Sequence, residues 1–324
     1  MIKLKYKKDP DAIDISKDNF KFICILLIWP LLHFIVFWIY VNFSTFYNSF
    51  FKFLGDGSKV FWGLEGYGRV FKDILANLSD SNINNYRATL NVGSLMLLSC
   101  LINMPIMLLF SYWMFKKVAG SKFFRIVLFA PSVVSTIILC LAFSSFVEAK
   151  GPFNMFLKAI GLGGDGTPGN TGIIPTEGWL NSPDTAWPTI LVFSVIFGVS
   201  GYIIYFTSAM GRMPGELFES AALDGASEIR QFFSIVVPLI WPVLTTFTVS
   251  TLSGTFSWYM PSLLMTNGTN IHTTTIGLII ITNAKAGVPN GTICAMGVLV
   301  ALIGGTLIFT VKHLMEKCFE GVQY

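Results

Sequence analysis

Charge is scarce in this chain: 12% of its 324 residues are Asp, Glu, Lys or Arg, against roughly 25% in soluble domains. A domain with water on every side is excluded by so little charge. Histidine is scarcer still. His33, His272 and His313 stand far apart, with no His-x-x-x-His pair for a metal and no Gly-x-Ser-x-Gly turn for a nucleophile. The Gly-x-x-x-x-Gly-Lys-Ser/Thr loop that cradles ATP phosphates is missing, and Leu252-Ser253-Gly254 lies inside an apolar run. Cys24, Cys100, Cys140, Cys294 and Cys318 lie in or near apolar runs without Cys-x-x-Cys spacing, which excludes a disulfide framework and a zinc site. They read as small buried side chains. The chain is therefore read as a non-enzyme, with no catalytic residue, metal or cofactor of its own.

What is abundant is apolar surface, at 53% hydrophobic and 15% aromatic residues. Runs long enough to cross about 30 Å of hydrocarbon, roughly 20 residues each, occur at 22–42, 92–115, 123–146, 189–210, 236–260 and 293–311. These predict an all-α membrane protein of about six transmembrane helices. The first run is too long for a secretory signal and no small-residue cleavage pattern follows it, so it is expected to remain as an anchor. With the N-terminus inside, 14 of the 22 Lys and Arg residues fall on the cytoplasmic side, which also takes the C-terminus. The net charge of +4 is then a topology signal, and no basic stripe with interleaved aromatics points to nucleic acid. Residues 1–19 read as a cytoplasmic tail and 20–324 as one transmembrane unit.

Inside the runs almost no ionisable residue occurs beyond His33, which disfavours proton- or sodium-coupled transport. Neutral polar residues are frequent instead: Ser99 and Asn103 in the second run, Ser200, Tyr202, Tyr205 and Thr207 in the fourth, and Thr248 to Tyr259 in the fifth. Neutral donors and acceptors suit sugar hydroxyls, and aromatic rings suit the apolar faces of sugars. Asn103, Tyr202, Tyr205, Ser253, Trp258 and Tyr259 are the candidate substrate-path residues. The same residue types also bond helix backbone and mark membrane interfaces.

Between the fourth and fifth runs, residues 216–242 are polar and dense in signals. Glu216 to Leu223 and Ser227 to Val236 each suit a short helix, Asp224-Gly225-Ala226 suits a turn, Ser227 can cap, and Pro238 can bend or interrupt the second helix. Two such helices make a compact knob. The segment resembles the coupling loop of the membrane-spanning subunits of ATP-binding-cassette importers, which reads Glu-Ala-Ala, three residues, Gly, nine residues, Ile, one residue, Leu-Pro. Here the match is Glu219-Ser220-Ala221, Gly225, Ile235 and Val237-Pro238, with Ser220 and Val237 as conservative departures. The resemblance implies that Glu219, Ala221, Ala222, Asp224, Gly225 and Ala226, in a loop spanning about 212–238, dock on an ATPase.

Outer segments are similar to those of maltose-type carbohydrate importer permeases. Phe61-Trp62-Gly63-Leu64-Glu65-Gly66-Tyr67 precedes an amphipathic stretch; Gly151-Pro152-Phe153-Asn154 and Trp179-Leu180-Asn181-Ser182-Pro183-Asp184-Thr185-Ala186 bracket another. Met265-Thr266-Asn267-Gly268-Thr269 is similar to the family's Thr-x-Gly-Gly-Pro stretch, without its Gly-Pro. Residues 161–176, rich in Gly, Pro and Thr, look like an added loop. The resemblance implies a permease in a bacterial inner membrane forming half of a sugar path. Its implied partners are a second permease (a heterodimer), two cytoplasmic ATPase subunits that bind ATP and Mg, an extracytoplasmic solute-binding protein and membrane lipid. The alternatives are the same machinery with a non-sugar solute, and an ion-coupled transporter or membrane-embedded structural protein without ATPase.

Overall fold

The computed structural model describes residues 17–55, 58–75, 85–163, 172–175, 178–285 and 291–318. Residues 1–16 of the expected tail, and residues 164–171 and 176 of the Gly- and Pro-rich loop, lie outside them. Six helical stretches are long and apolar enough to cross a membrane: Lys21–Asn48, Asn85–Phe115, Thr136–Ala159, Ala186–Met210, Glu228–Met265 and Gly291–Cys318. They are termed spans 1 to 6. The chain is an all-α membrane protein, and among the described residues the sheet content is one antiparallel hairpin. Its strands, β1 (Phe51–Phe53) and β2 (Lys59–Phe61), pair Phe51 with Phe61, Lys52 with Val60 and Phe53 with Lys59.

Three apolar clusters hold spans 2 to 6 together. The largest joins spans 2, 4 and 5 through Met104, Met114, Ile203, Phe206, Met210, Phe232 and Ile240. A second cluster gathers Val70 of the helix Glu65–Leu75 with Ala88, Val92, Ile276, Ile279 and Met296. That helix was expected to be amphipathic, and it lays its apolar side on spans 2 and 6. A third cluster packs Cys140, Phe143 and Val147 of span 3 against Ile190, Phe193 and Met265. Span 1 stands apart. None of its most apolar window is buried, and it meets the body chiefly where Tyr40–Asn48 touches span 6.

The expectations differ from the structure at two places, each with a local cause. The crossing read as unbroken over 123–146 consists of two helices, Ser121–Val133 and Thr136–Val147, parted by extended backbone at Val134 and Ser135. Pro131 lacks an N–H and its ring crowds the preceding turn, so the helix ends two residues later. The second knob helix, read as Ser227 to Val236, is α-helical only over Glu228–Gln231 and then widens into a π-helical turn, Phe232–Val236. That turn runs straight into the helix Val237–Phe256, so Pro238 does not interrupt the chain; the widened turn sits where proline withholds a backbone donor. Of the span 6 glycines Gly297, Gly304 and Gly305, only Gly304 is closely approached by another helix among the described residues. A Cβ on Gly304 would lie 2.9 Å from the Phe256 ring, whereas Gly297 and Gly305 have nothing within 4 Å.

Candidate functional site

Spans 2 to 5 surround a cavity of about 460 Å³, inside the range of about 300–1,000 Å³ usual for small-molecule sites. Its walls coincide with the places where helices lose regularity. The break between the helix Ser121–Val133 and span 3 contributes Ser132, Val134 and Thr136. Span 4 parts between the helices Ala186–Gly198 and Ile203–Met210, and Gly198, Ser200, Gly201 and Tyr202 of that gap line the cavity. Span 5 parts between Phe256 and Met260, where Trp258 and Pro261 reach the wall. Span 2 is continuous but carries a π-helical turn, Ser99–Asn103, and both end residues of that turn line the space.

Broken helices at membrane depth are tolerated only where the freed backbone groups find partners or face a cavity. The partners are present. Thr275 donates to the Trp258 carbonyl at 2.8 Å, Ser111 to the Ile203 carbonyl at 3.2 Å and Ser200 to the Phe197 carbonyl at 2.9 Å. Asn103 is only 5% exposed, and its Nδ2 donates to the Ser194 carbonyl at 3.3 Å. Its Oδ1 accepts no hydrogen bond from any described residue. No Asp, Glu, Lys, Arg or His side chain lines the cavity. The arrangement therefore presents hydroxyls and aromatic rings to whatever enters, while the unused Asn103 Oδ1 lies enclosed in the wall.

Of the residues singled out from sequence, Asn103, Tyr202 and Trp258 meet in this cavity. Tyr205, Ser253 and Tyr259 are not among its lining. Tyr205 is 58% exposed, and Ser253 turns back to the Val249 carbonyl at 2.9 Å. The lining of span 5 follows one helix face instead: Phe247, Ser250, Thr251, Gly254, Thr255 and Trp258 recur at steps of three and four. The span 3 residues were not foreseen, since Ser132 and Thr136 differ little from any hydroxyl in an apolar run.

On the side of the short basic turn Lys116 to Lys122, the helix Gly215–Leu223 ends in a left-handed turn and Glu228–Gln231 follows. Gly225 takes φ +73°, its N–H bonds the Ala222 carbonyl and the Ala226 N–H bonds the Ala221 carbonyl. Those paired bonds are a Schellman cap, which a side chain at Gly225 would strain. Ser227 accepts from the Arg230 N–H and opens the second helix. Glu219, Ala222, Asp224 and Gly225 are exposed on this knob, while Ala221 and Ala226 are half-buried. At 38 residues, span 5 would extend about 57 Å as a helix, far beyond the hydrocarbon, so its first turns belong to the knob.

At the opposite face, Arg87 donates to Nδ1 of His272, and Asn91 Nδ2 bonds the His272 and Thr274 carbonyls at 2.9 and 2.8 Å. Burial and the Arg87 guanidinium hold His272 below its ordinary 6.5, with Asp184 opposing them. The neutral ring is the form that can accept from Arg87.

The model of a family described as the inner membrane component of binding-protein-dependent transport systems matches residues 81–319. A probable ABC transporter permease protein, YurN of Bacillus subtilis, is 29% identical over 255 residues, 76% of this chain and 80% of YurN. The diacetylchitobiose uptake system permease protein NgcF of Streptomyces coelicolor is 30% identical over 206 residues, covering 61% of this chain but 56% of NgcF. The maltose/maltodextrin transport system permease protein MalF of Klebsiella aerogenes is 27% identical over 225 residues, 66% of this chain and 39% of MalF. A chain in the crystal structure of a bacterial ABC transporter involved in the import of the acidic polysaccharide alginate shares the fold. It is 19% identical with a TM-score of 0.74, over 94% of this chain and 97% of its own.

Proposed function

Because the chain belongs to the family of inner membrane components of binding-protein-dependent transport systems, we propose that it forms half of the path of an ATP-driven importer whose cargo is an uncharged sugar or oligosaccharide. The uncharged, hydroxyl- and aromatic-lined cavity at the helix breaks carries the cargo class. A charged solute or a coupling ion would call for ionisable groups in its walls. NgcF and MalF support a sugar, being by name permease proteins of a diacetylchitobiose uptake system and of a maltose/maltodextrin transport system. The transporter that shares the fold is involved in the import of an acidic polysaccharide, so the uncharged class rests on the cavity alone.

In this reading the knob faces the cytoplasm, together with both termini, and seats on one of two ATPase subunits that supply ATP and Mg. Glu219 and Asp224 offer charge to that partner, Gly225 sets the turn, and Ala221, Ala222 and Ala226 let the surfaces approach closely. A second permease completes the path, and an extracytoplasmic binding protein delivers the sugar. ATPase closure pulls on the knob and switches the cavity between its two orientations, which requires the contacts at each end to differ between the states.

The test is the ATPase rate of the complex purified through this chain and reconstituted in lipid, with and without its binding protein loaded with a panel of oligosaccharides. Stimulation by one neutral sugar is the expected result. A co-purified ATPase that responds only to charged solutes would overturn the cargo, and a complex without ATPase would overturn the importer.

A further inference from the structure

Lys116 closes the inner end of span 2 and is wrapped by the knob. Its Nζ lies 2.9 Å from Glu228 Oε2 and donates to Gln231 Oε1 at 3.0 Å. The same ammonium stands 5.0 Å from the centre of the Phe218 ring, on the first knob helix. One turn outward, the Tyr112 hydroxyl donates to Glu228 Oε2 at 2.6 Å. Gln231 in turn donates through Nε2 to the Ala226 carbonyl at 2.9 Å, inside the turn that joins the two knob helices. Both helices of the knob are thus fastened to a single span: Glu228 and Gln231 lie 112 and 115 residues from Lys116 in the chain, and Glu228 lies 116 residues from Tyr112.

Stability alone does not account for this cluster. Glu228 is 65% exposed, and an ion pair so placed contributes about 0–1 kcal/mol. What the cluster fixes is direction. Above Tyr112 the inner half of span 2 packs along Ile203–Met210, with Ser111 bonded to the Ile203 carbonyl. Nine residues further out, about 13.5 Å along a helix, Asn103 is bonded to the Ser194 carbonyl. Spans 2 and 4 therefore move as a pair and carry two walls of the cavity.

We infer that Lys116, Tyr112 and Glu228 are positioning residues for coupling: they lock the knob to span 2, so that a displacement of the knob shifts the Asn103 and Tyr202 walls of the cavity together. This rests on the importer reading above. It extends that reading to residues other than Glu219, Ala221, Ala222, Asp224, Gly225 and Ala226, to which the ATPase contact was assigned.

The experiment compares sugar transported per ATP hydrolysed by the full reconstituted complex in wild type, Lys116→Glu, Glu228→Lys, the charge-exchanged double variant and Tyr112→Phe. Each single charge reversal is expected to lower that ratio about fivefold or more, and the exchange is expected to restore it. Tyr112→Phe keeps the ring contact with Phe232 and loses only the hydroxyl, so it tests the bond without disturbing packing. Its ratio should fall as well. Normal ratios in the single variants, with ATPase bound in normal amount, would overturn the inference while leaving the importer intact. Loss of ATPase binding that the double variant fails to restore would also overturn it. Absence of ATPase from the wild-type complex would remove the importer reading itself.

Discussion

Asn103 is the residue where cost and use meet. Leaving a buried acceptor unpaired costs about 1–3 kcal/mol, and Oδ1 is held in that state by the Nδ2 bond to the Ser194 carbonyl. Gly198 keeps the neighbouring wall open, since a Cβ there would lie 3.1 Å from Nδ2. Oδ1 is enclosed here, so a sugar hydroxyl would reach and satisfy it only as the walls part between the two orientations of the path. Asn103→Leu is therefore expected to leave the folded protein as stable or slightly more so, and to raise the half-saturating sugar concentration about tenfold. Uptake titrations in vesicles measure this, and an unchanged value would remove Asn103 from the path. At this scale sequence is half-legible. Residue type marked Asn103, Tyr202 and Trp258, but the same chemistry marked Ser253, which periodicity excludes: it lies 100° around the helix from Gly254 and off the face that begins at Phe247. Lys116 read as a topology signal because its partners on the knob lie more than a hundred residues away, beyond any local pattern.

Among the elements, the crossings were legible because length and hydropathy must match the bilayer whatever the tertiary contacts. Where the helices stop was not. Pro131, Gly198 with Gly201, and Pro261 each sit at a gap, yet Pro30, Pro105 and Pro242 lie inside or at the start of helices that continue. Tertiary partners such as Thr275 and Ser111 decide which interruption opens. Close approach shows the same dependence on context. Gly304→Val forces a branched side chain against Phe256 and should cost about 1–3 kcal/mol, whereas Gly305→Val, one residue on, meets open space. The thermal midpoint of the detergent-purified protein separates the two, and equal shifts would contradict the packing described.

At the scale of the molecule, the cluster on the knob side and the two other clusters lie on either side of the helix breaks. The family and its fold followed from the knob pattern and the outer segments, while the lone position of span 1 followed from neither. A run of 28 residues is about 42 Å of helix, longer than the roughly 30 Å of hydrocarbon it enters. Among the described residues of this chain nothing covers its apolar flanks, and tilt about its attachment to span 6 is the expected way to absorb the mismatch. Turnover in vesicles of graded acyl length, from about 14 to about 22 carbons, should pass through a maximum toward the thicker end; truncation of span 1 should flatten the profile, and an intact chain with a flat profile would refute the tilt. A helix held by its own chain at one end and tilting in this way would make the local depth of the lipid an input to the protein, so that acyl chain length and temperature would act on it as effectors without any binding pocket.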